Sequence, residues 1–402
     1  MKKLVIVGSG IAAISAIKAI REYDKECRIE LFGEESSYPY NRIKLSKGLM
    51  DDINVDKILL EKREWYDEND VEIYLDTRVT AIDPENNEVI LDNGERVSYS
   101  KLVLANGARN SAPPISGIDK EGVFTLRKVV DSRAIKEYAE DSNQVLIIGG
   151  GVLGLEMAWT LSQAGKEVMV AEICPYLMPE QLDEKACQIL EEKVKEHNIE
   201  ILAGTSIEKI VGEDKVEAFI TGKGEKRECD MAIYSTGIRP NLDILEGTDI
   251  ETDFGVVVNN RMQTNYPDIY AVGDVSELDN KGFGLWPIAI EQGKIAGYNI
   301  IGQEDVYQHI IPTVMLNAFG LSLFAIGDND EQDGIDIISE EQEDKYIKVL
   351  IKDRVIIGAI VIGDMSKSVT LRKAIKQSLE LGYLDFDNVS VSKLIEIIKS
   401  KQ

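Results

Sequence analysis

Histidine is almost missing from this 402-residue chain, which has only His197 and His309. Histidine is the usual carrier of protons near neutral pH, so chemistry built on histidine acid–base catalysis is excluded as a leading reading. Cysteine is scarce as well: Cys27, Cys174, Cys187 and Cys229 show no Cys-x-x-Cys spacing. These absences remove zinc or iron–sulfur ligation and a redox dithiol from the list. Each thiol is expected to be buried or idle. Bases are outnumbered, 45 against 71 acids, for a formal net charge of −26. Nucleic acid and anionic membranes are therefore repelled over much of the surface. The longest apolar run, Val355 to Gly363, falls well short of the about 20 residues that a membrane span needs.

What the chain does have is patterned glycine. Gly8-Ser9-Gly10-Ile11-Ala12-Ala13 and Gly149-Gly150-Gly151-Val152-Leu153-Gly154 are two runs of one kind. Each follows an apolar stretch without alternation, Leu4-Val5-Ile6-Val7 and Val145-Leu146-Ile147-Ile148, as a parallel strand covered on both faces reads. In each run the first glycine permits the tight turn and the second lets backbone approach a pyrophosphate. The third position, Ala13 or Gly154, keeps the helix close to the sheet. Amides at the helix N-terminus then hold the diphosphate. One such run is also explained by turn glycines alone; two in matching context predict that the chain grips two dinucleotides.

The first copy has a specific rival. Lys2-Lys3 before the stretch Leu4 to Ile17 resembles a secretory leader. Against it stand the glycine spacing, the charged run Arg21 to Arg28, and the strand Ile29-Glu30-Leu31-Phe32. A retained N-terminus and a cytoplasmic protein are expected. At 44% hydrophobic the chain has material for roughly two to three domains. After the first fingerprint come Val71 to Tyr74, the turn Asp92-Asn93-Gly94, and Leu102 to Gly107; after the second come Ile199 to Leu202, a glycine-punctuated stretch, and Ala232 to Gly237. Both halves read as a βαβ start, a small antiparallel excursion and a strand returning to a glycine turn. Beyond them, Trp286-Pro287 opens a helix through Tyr298, proline costing nothing at a first turn. From about Pro312 the pattern changes to short strands and two terminal helices.

Taken together, Gly8 to Ala13, Pro39 to Lys47, Ala105 to Ala108, Gly149 to Glu156, Thr236-Gly237 and Ala271 to Asp274 resemble the FAD-dependent pyridine nucleotide-disulfide oxidoreductase superfamily. The likeness is to its disulfide-free branch, the rubredoxin and ferredoxin reductases and the flavin portion of NADH-dependent nitrite reductases. It implies an α/β fold of the glutathione-reductase kind, with two Rossmann-like dinucleotide-binding domains and a small α+β C-terminal domain. The implied boundaries are 1–110 with 238–310 for FAD, 111–237 for NAD, and 311–402 for an accessory or interface domain. By the same resemblance, Gly8, Ser9, Gly10 and Ala13 belong to the FAD site. Glu34 takes the adenosine ribose hydroxyls, Val79 offers backbone to the adenine, and Arg42 lies on the diphosphate or ring edge. Ala105, Gly107, Gly237 and Gly273 line the cofactor, Asp274 takes the ribityl chain, and Trp286 begins a helix aimed at the flavin pyrimidine. Three of these have an ordinary alternative: a surface turn acid for Glu34, a plain turn residue for Asp274, and core packing for Trp286.

In the second fingerprint Gly149, Gly151 and Gly154 hold NAD, and Glu172 decides which nicotinamide cofactor enters. Glu172 lies 18 residues after Gly154, near the about 20 expected for the acid on the ribose 2′-hydroxyl. A 2′-phosphate 4 Å away meets about 4 kcal/mol of repulsion at an effective dielectric of 20, so NADH is expected over NADPH. The run Leu45-Ser46-Lys47-Gly48 puts lysine where other branches of the superfamily carry cysteine. The resemblance pairs Lys47 with Glu156 beside the flavin, as the catalytic pair; a solvated lysine and a helix-surface glutamate are the plain alternative. The expected activity is hydride transfer from NADH to FAD and electron delivery to a small iron protein, rubredoxin first. Two other classes stay open: an NADH-linked flavin subunit of a larger complex, and a flavin-binding signalling protein with little turnover. A homodimer is a further open expectation.

Overall fold

In the computed structural model, residues 3–282, 284–308, 310–342, 344–386 and 388–401 are described; Lys2 and His309, named above, lie outside them. The chain forms two compact units, Met1–Lys44 with Asn54–Ser111 and Gly237–Ile310, and Leu45–Ile53 with Ala112–Thr236 and Ile311–Gln402.

The first unit is built on a five-stranded parallel sheet. Its order is Ile269–Ala271, Lys101–Leu104, Lys3–Val7, Arg28–Phe32, Val71–Tyr74. The first fingerprint joins Lys3–Val7 to the helix Ile11–Tyr23. That helix packs on Trp286–Ile300 through small residues: a Cβ at Gly293 would sit 2.3 Å from Ala12 O. Arg21, at the start of the charged run, is buried and donates to the carbonyls of Asn69, Asp24, Cys27 and Asp70. The antiparallel excursion is Val79–Asp83, Glu88–Leu91 and Arg96–Ser98, the last two joined by the Asn93-Gly94 turn.

The second unit repeats the scheme. Its parallel sheet runs Ile199–Ala203, Glu167–Glu172, Gln144–Ile148, Met231–Tyr234, Val123–Phe124, and a three-stranded sheet follows from Ile207–Val211 to Lys226–Glu228. The tail is a five-stranded antiparallel sheet in the order Thr313–Ala318, Leu321–Gly327, Val355–Ile362, Lys345–Lys352, Asp336–Gln342. Strand side chains alternate between faces. Ile347, Val349 and Ile351 pack with the helices Ser368–Lys376 and Val391–Lys401 through Leu371, Leu394 and Ile398. Tyr346 and Lys348 point the other way, to Asp183.

Two of the contacts between the tail and the second fingerprint's half bury large side chains. The hairpin joining Thr313–Ala318 to Leu321–Gly327 turns on Phe319 and Gly320, both with positive φ (57° and 68°). A two-residue turn of this kind favours Asn-Gly, and phenylalanine there is strained. Burial offsets the strain: Phe319 is 1% exposed and meets Trp159 edge-on at 5.3 Å. The second contact centres on Asp183, the N-cap of Glu184–Lys195, which accepts from Ala186 N, Lys348 Nζ and Tyr346 OH. Lys348 is 1% exposed and also reaches Glu331. Burial pushes the Asp183 carboxyl up, but Lys348, Tyr346 and the Ala186 amide outweigh it and hold it below its ordinary value.

A group depressed in this way adds stability above its unfolded value, about 3.9 for Asp, and loses it as pH falls through the folded value. Lys348→Met is therefore expected to destabilise the protein most at pH 7, by up to the about 3–5 kcal/mol of a broken buried pair, and much less at pH 3. Urea unfolding at the two pH values checks this. An equal penalty at both contradicts it.

Candidate functional site

The first cradle follows from what the backbone allows. Gly8 has φ 99°, and a Cβ there would lie 2.3 Å from Ala105 O. Only glycine tolerates that approach. Gly10 caps Ile11–Tyr23 in extended conformation without a side-chain bond, so the amides of the first turn are left for another acceptor. A Cβ on Gly10 would meet nothing within 4 Å. Ala13 is fully buried. An open, amide-lined hollow at a helix N-terminus fits a diphosphate, and the residues present fit FAD.

The other residues expected around FAD are spread over this unit. Val79 opens an antiparallel strand and is buried, as is Ala105; Gly107, Gly237 and Gly273 have positive φ. Asp274 sits in the short helix Gly273–Val275 and is partly exposed; Trp286, half-buried, opens Trp286–Ile300, whose N-terminus carries no side-chain cap. Glu34 is exposed. It lies one residue past the position matching Glu172, because Gly8 N bonds Phe32 O as Gly149 N bonds Ala171 O. Gly33 is the true counterpart of Glu172.

Arg42 is held in a way the sequence does not announce. Glu35 Oε1 accepts from its guanidinium at 2.6 Å, and Glu35 Oε2 accepts from Tyr40 OH at 2.7 Å. Burial pulls the Arg42 pKa down, but Glu35 and Tyr40 outweigh it and the net shift is upward. The Gly273 turn is fixed by Gln292, buried in Trp286–Ile300, whose Oε1 accepts from Gly273 N at 2.8 Å and Ser276 Oγ at 3.1 Å. A lone polar residue on the apolar face of that helix was the available signal.

The second cradle repeats the first. Gly149 has φ 114° with Ser235 O 2.6 Å from its would-be Cβ, while Gly151 caps Val152–Gln163 and faces open space. Gly154 packs on Gly149 O with no room for a Cβ. Glu172, 9% exposed, accepts from Gly150 N at 2.7 Å and from Cys174 N at 2.9 Å. Each oxygen retains a second lone-pair site, so the carboxylate can also accept a ribose hydroxyl. The cradle fits NAD. Next to Glu172, the Cys174 thiol is pushed up by burial and then by that carboxylate, so it is no ready nucleophile. Burial raises Cys187 and Cys229 to about 12.

Lys47 and Glu156 come together. Lys47, at the end of the short helix Ile43–Lys47, is exposed; Glu156, on Val152–Gln163, is 8% exposed; Nζ lies 3.6 Å from Oε1. They share a cleft of about 290 Å³ with Trp159, Thr160, Gln163 and Asn317. Asn317 comes from the tail's first strand. Sequence reading missed Ser46, whose hydroxyl donates to Glu156 Oε2 at 2.5 Å, and Thr160, whose hydroxyl reaches Ser46 O and Glu156 O. Their signal was position alone: Ser46 precedes Lys47, and Thr160 lies one helical turn after Glu156.

The chain is similar to known proteins. The pattern described as pyridine nucleotide-disulphide oxidoreductase matches residues 2–293, and that of the rubredoxin NAD+ reductase C-terminal domain matches residues 312–379. NADH-rubredoxin oxidoreductase of Clostridium acetobutylicum is 33% identical over 388 residues, 96% of this chain and 97% of that one. The crystal structure of NADH:rubredoxin oxidoreductase from that organism superimposes with a TM-score of 0.81 at 31% identity, covering 98% of this chain and 99% of that one. Nitrite reductase [NAD(P)H] of Bacillus subtilis is 34% identical over 384 residues, 94% of this chain. The chain spans about half the length of that relative, 48%.

The geometry separates two kinds of glycine. Gly10→Val is expected to fold with unchanged circular dichroism and to purify without bound flavin, because its side chain enters only the hollow. Gly8→Ala is expected to lose stability instead, through strain and collision with Ala105. Flavin absorbance together with thermal melting checks both. A yellow Gly10→Val protein contradicts the placement of the cradle.

Proposed function

The chain belongs to the pyridine nucleotide-disulphide oxidoreductase family, and on that premise we propose that it is an NADH-dependent flavoprotein reductase of the disulfide-free branch, serving a small one-electron iron protein such as rubredoxin. One observation carries the reading: Lys47, not cysteine, faces Glu156 in the cleft beside the second dinucleotide cradle. The chemistry that bound FAD supplies is acceptance of a hydride from NADH and return of the two electrons, one each, to two oxidised carriers.

The chain's own residues bind, align and select. Gly8 and Gly10 bring backbone to the FAD diphosphate, and Gly149 and Gly151 do so for NADH. Glu172 accepts the adenosine ribose hydroxyl and repels a 2′-phosphate, which favours NADH. Asp274 and the start of Trp286–Ile300 are assigned to the ribityl chain and the ring's electron-rich edge. Lys47 places a cation at the ring system, and Glu156 pairs with it by charge from 3.6 Å. Residues 1–110 with 238–310 are assigned to FAD, 111–237 to NAD and 311–402 to an accessory or interface domain. No described helix is long and apolar enough to cross a membrane. The four free cysteines support a reducing compartment, the cytoplasm.

The half-length match to nitrite reductase favours a second reading, in which the same module feeds electrons to a larger reductase. Stopped-flow reoxidation of the NADH-reduced protein separates the two. Oxidised rubredoxin is expected to restore the flavin absorbance at least tenfold faster than oxygen alone. No acceleration over oxygen removes rubredoxin as acceptor and leaves the second reading.

A further inference from the structure

Adjacent residues Ser46 and Lys47 address the two oxygens of one carboxylate, and they do so unequally. Ser46 Oγ donates to Glu156 Oε2 at 2.5 Å, with Ser46 only 3% exposed. That is the short distance of a charge-assisted O–H···O⁻ bond. Lys47 Nζ stays 3.6 Å from Oε1, beyond the about 2.7–3.2 Å of an N–H···O bond. The ammonium is thus paired by charge without being hydrogen-bonded to its partner. The segment is also pinned from below: Thr160 Oγ1 lies 3.1 Å from Ser46 O and 2.9 Å from Glu156 O, and Leu45 and Leu49 are buried.

A carboxylate this poorly hydrated, left to itself, closes on a neighbouring ammonium, because the attraction grows as the distance shortens and the dielectric falls. Closure takes up an N–H donor and cancels much of the positive charge. Something must hold the pair apart. The Ser46 hydroxyl is the group placed to do it.

We propose that Ser46 is a positioning residue that restrains Glu156 from closing on Lys47, so that the ammonium keeps its donors and its charge for the electron-rich ring system in the cleft. This rests on the reading of the cleft given under Proposed function. Ser46 is 3% exposed and its hydroxyl is bonded to Glu156, so it acts through that carboxylate. Without it, Lys47 is neutralised in place and the reduced ring loses a nearby cation.

The test is the midpoint potential of the flavin in the holoprotein, measured by spectroelectrochemistry without NADH. Ser46→Ala is expected to lower the potential by about 30 mV, a tenfold loss in a two-electron equilibrium, and Ser46→Thr to keep it near that of the unaltered protein. Lys47→Ala is expected to lower it at least as far. Adding Ser46→Ala to Lys47→Ala is then expected to change nothing more, since Ser46 works only through Lys47. A wild-type potential in Ser46→Ala overturns the proposal, as does a shift that persists without Lys47. If Lys47→Ala leaves the potential unaltered, the reading of the cleft fails and takes this proposal with it. If Lys47→Ala shifts it and Ser46→Ala does not, only the role of Ser46 falls.

Discussion

Main chain touching main chain at a strand-to-helix crossover is the constraint on which everything else depends. At Gly8 and at Gly149 the chain turns with positive φ, and carbonyls of Ala105 and Ser235 occupy the space where a side chain would begin. That approach sets each helix close against its sheet and points uncapped amides into a hollow. The next glycines, Gly10 and Gly151, face outward into that hollow with nothing near them. One pair of glycines closes the fold and the other keeps the ligand's place open. This is why the same short pattern, used twice, yields two cradles.

Much of this was legible because it is local. Strand, glycine turn and helix follow one another within about 25 residues, and unalternating apolar runs such as Val145 to Ile148 report burial on both faces. Lys47 and Glu156 were legible only through family resemblance, since 109 positions separate them in sequence. Ser46 and Glu35 were not legible: nothing in the neighbouring sequence marks the hydrogen bonds of Ser46 to Glu156 or of Glu35 to Tyr40 and Arg42. Gln292 left a fainter trace, a lone polar residue on an apolar helix face. Glu34 stands one residue beyond Gly33, the position that backbone register matches to Glu172, so the two halves carry their acids one residue apart. The turn at Phe319-Gly320 was not legible either. Its residue type opposes the backbone it adopts, and only packing on Trp159 explains it.

Electrostatics in a chain of net charge −26 is a matter of local exceptions. Arg42 is tied to Glu35, Lys348 to Asp183 and Glu331, and Lys47 to Glu156. The first two are hydrogen-bonded pairs in which charge serves architecture. The third is held loose, with the lysine exposed to the cleft. Among these three cations it is the one whose donors are not taken up by its acidic partner. In the proposed reading, a charge stands at the position where the resemblance to other branches implies sulfur.

The central claim is that electrons meet one two-electron acceptor and no sulfur relay. Anaerobic titration of the oxidised holoprotein with NADH, followed at the flavin absorbance, tests it most directly. The account predicts complete bleaching at one NADH per flavin, unchanged after the four thiols are alkylated under denaturing conditions and the protein is refolded with FAD, or after all four are replaced by serine. A requirement for two NADH per flavin, or an endpoint that shifts when the thiols are removed, would contradict it.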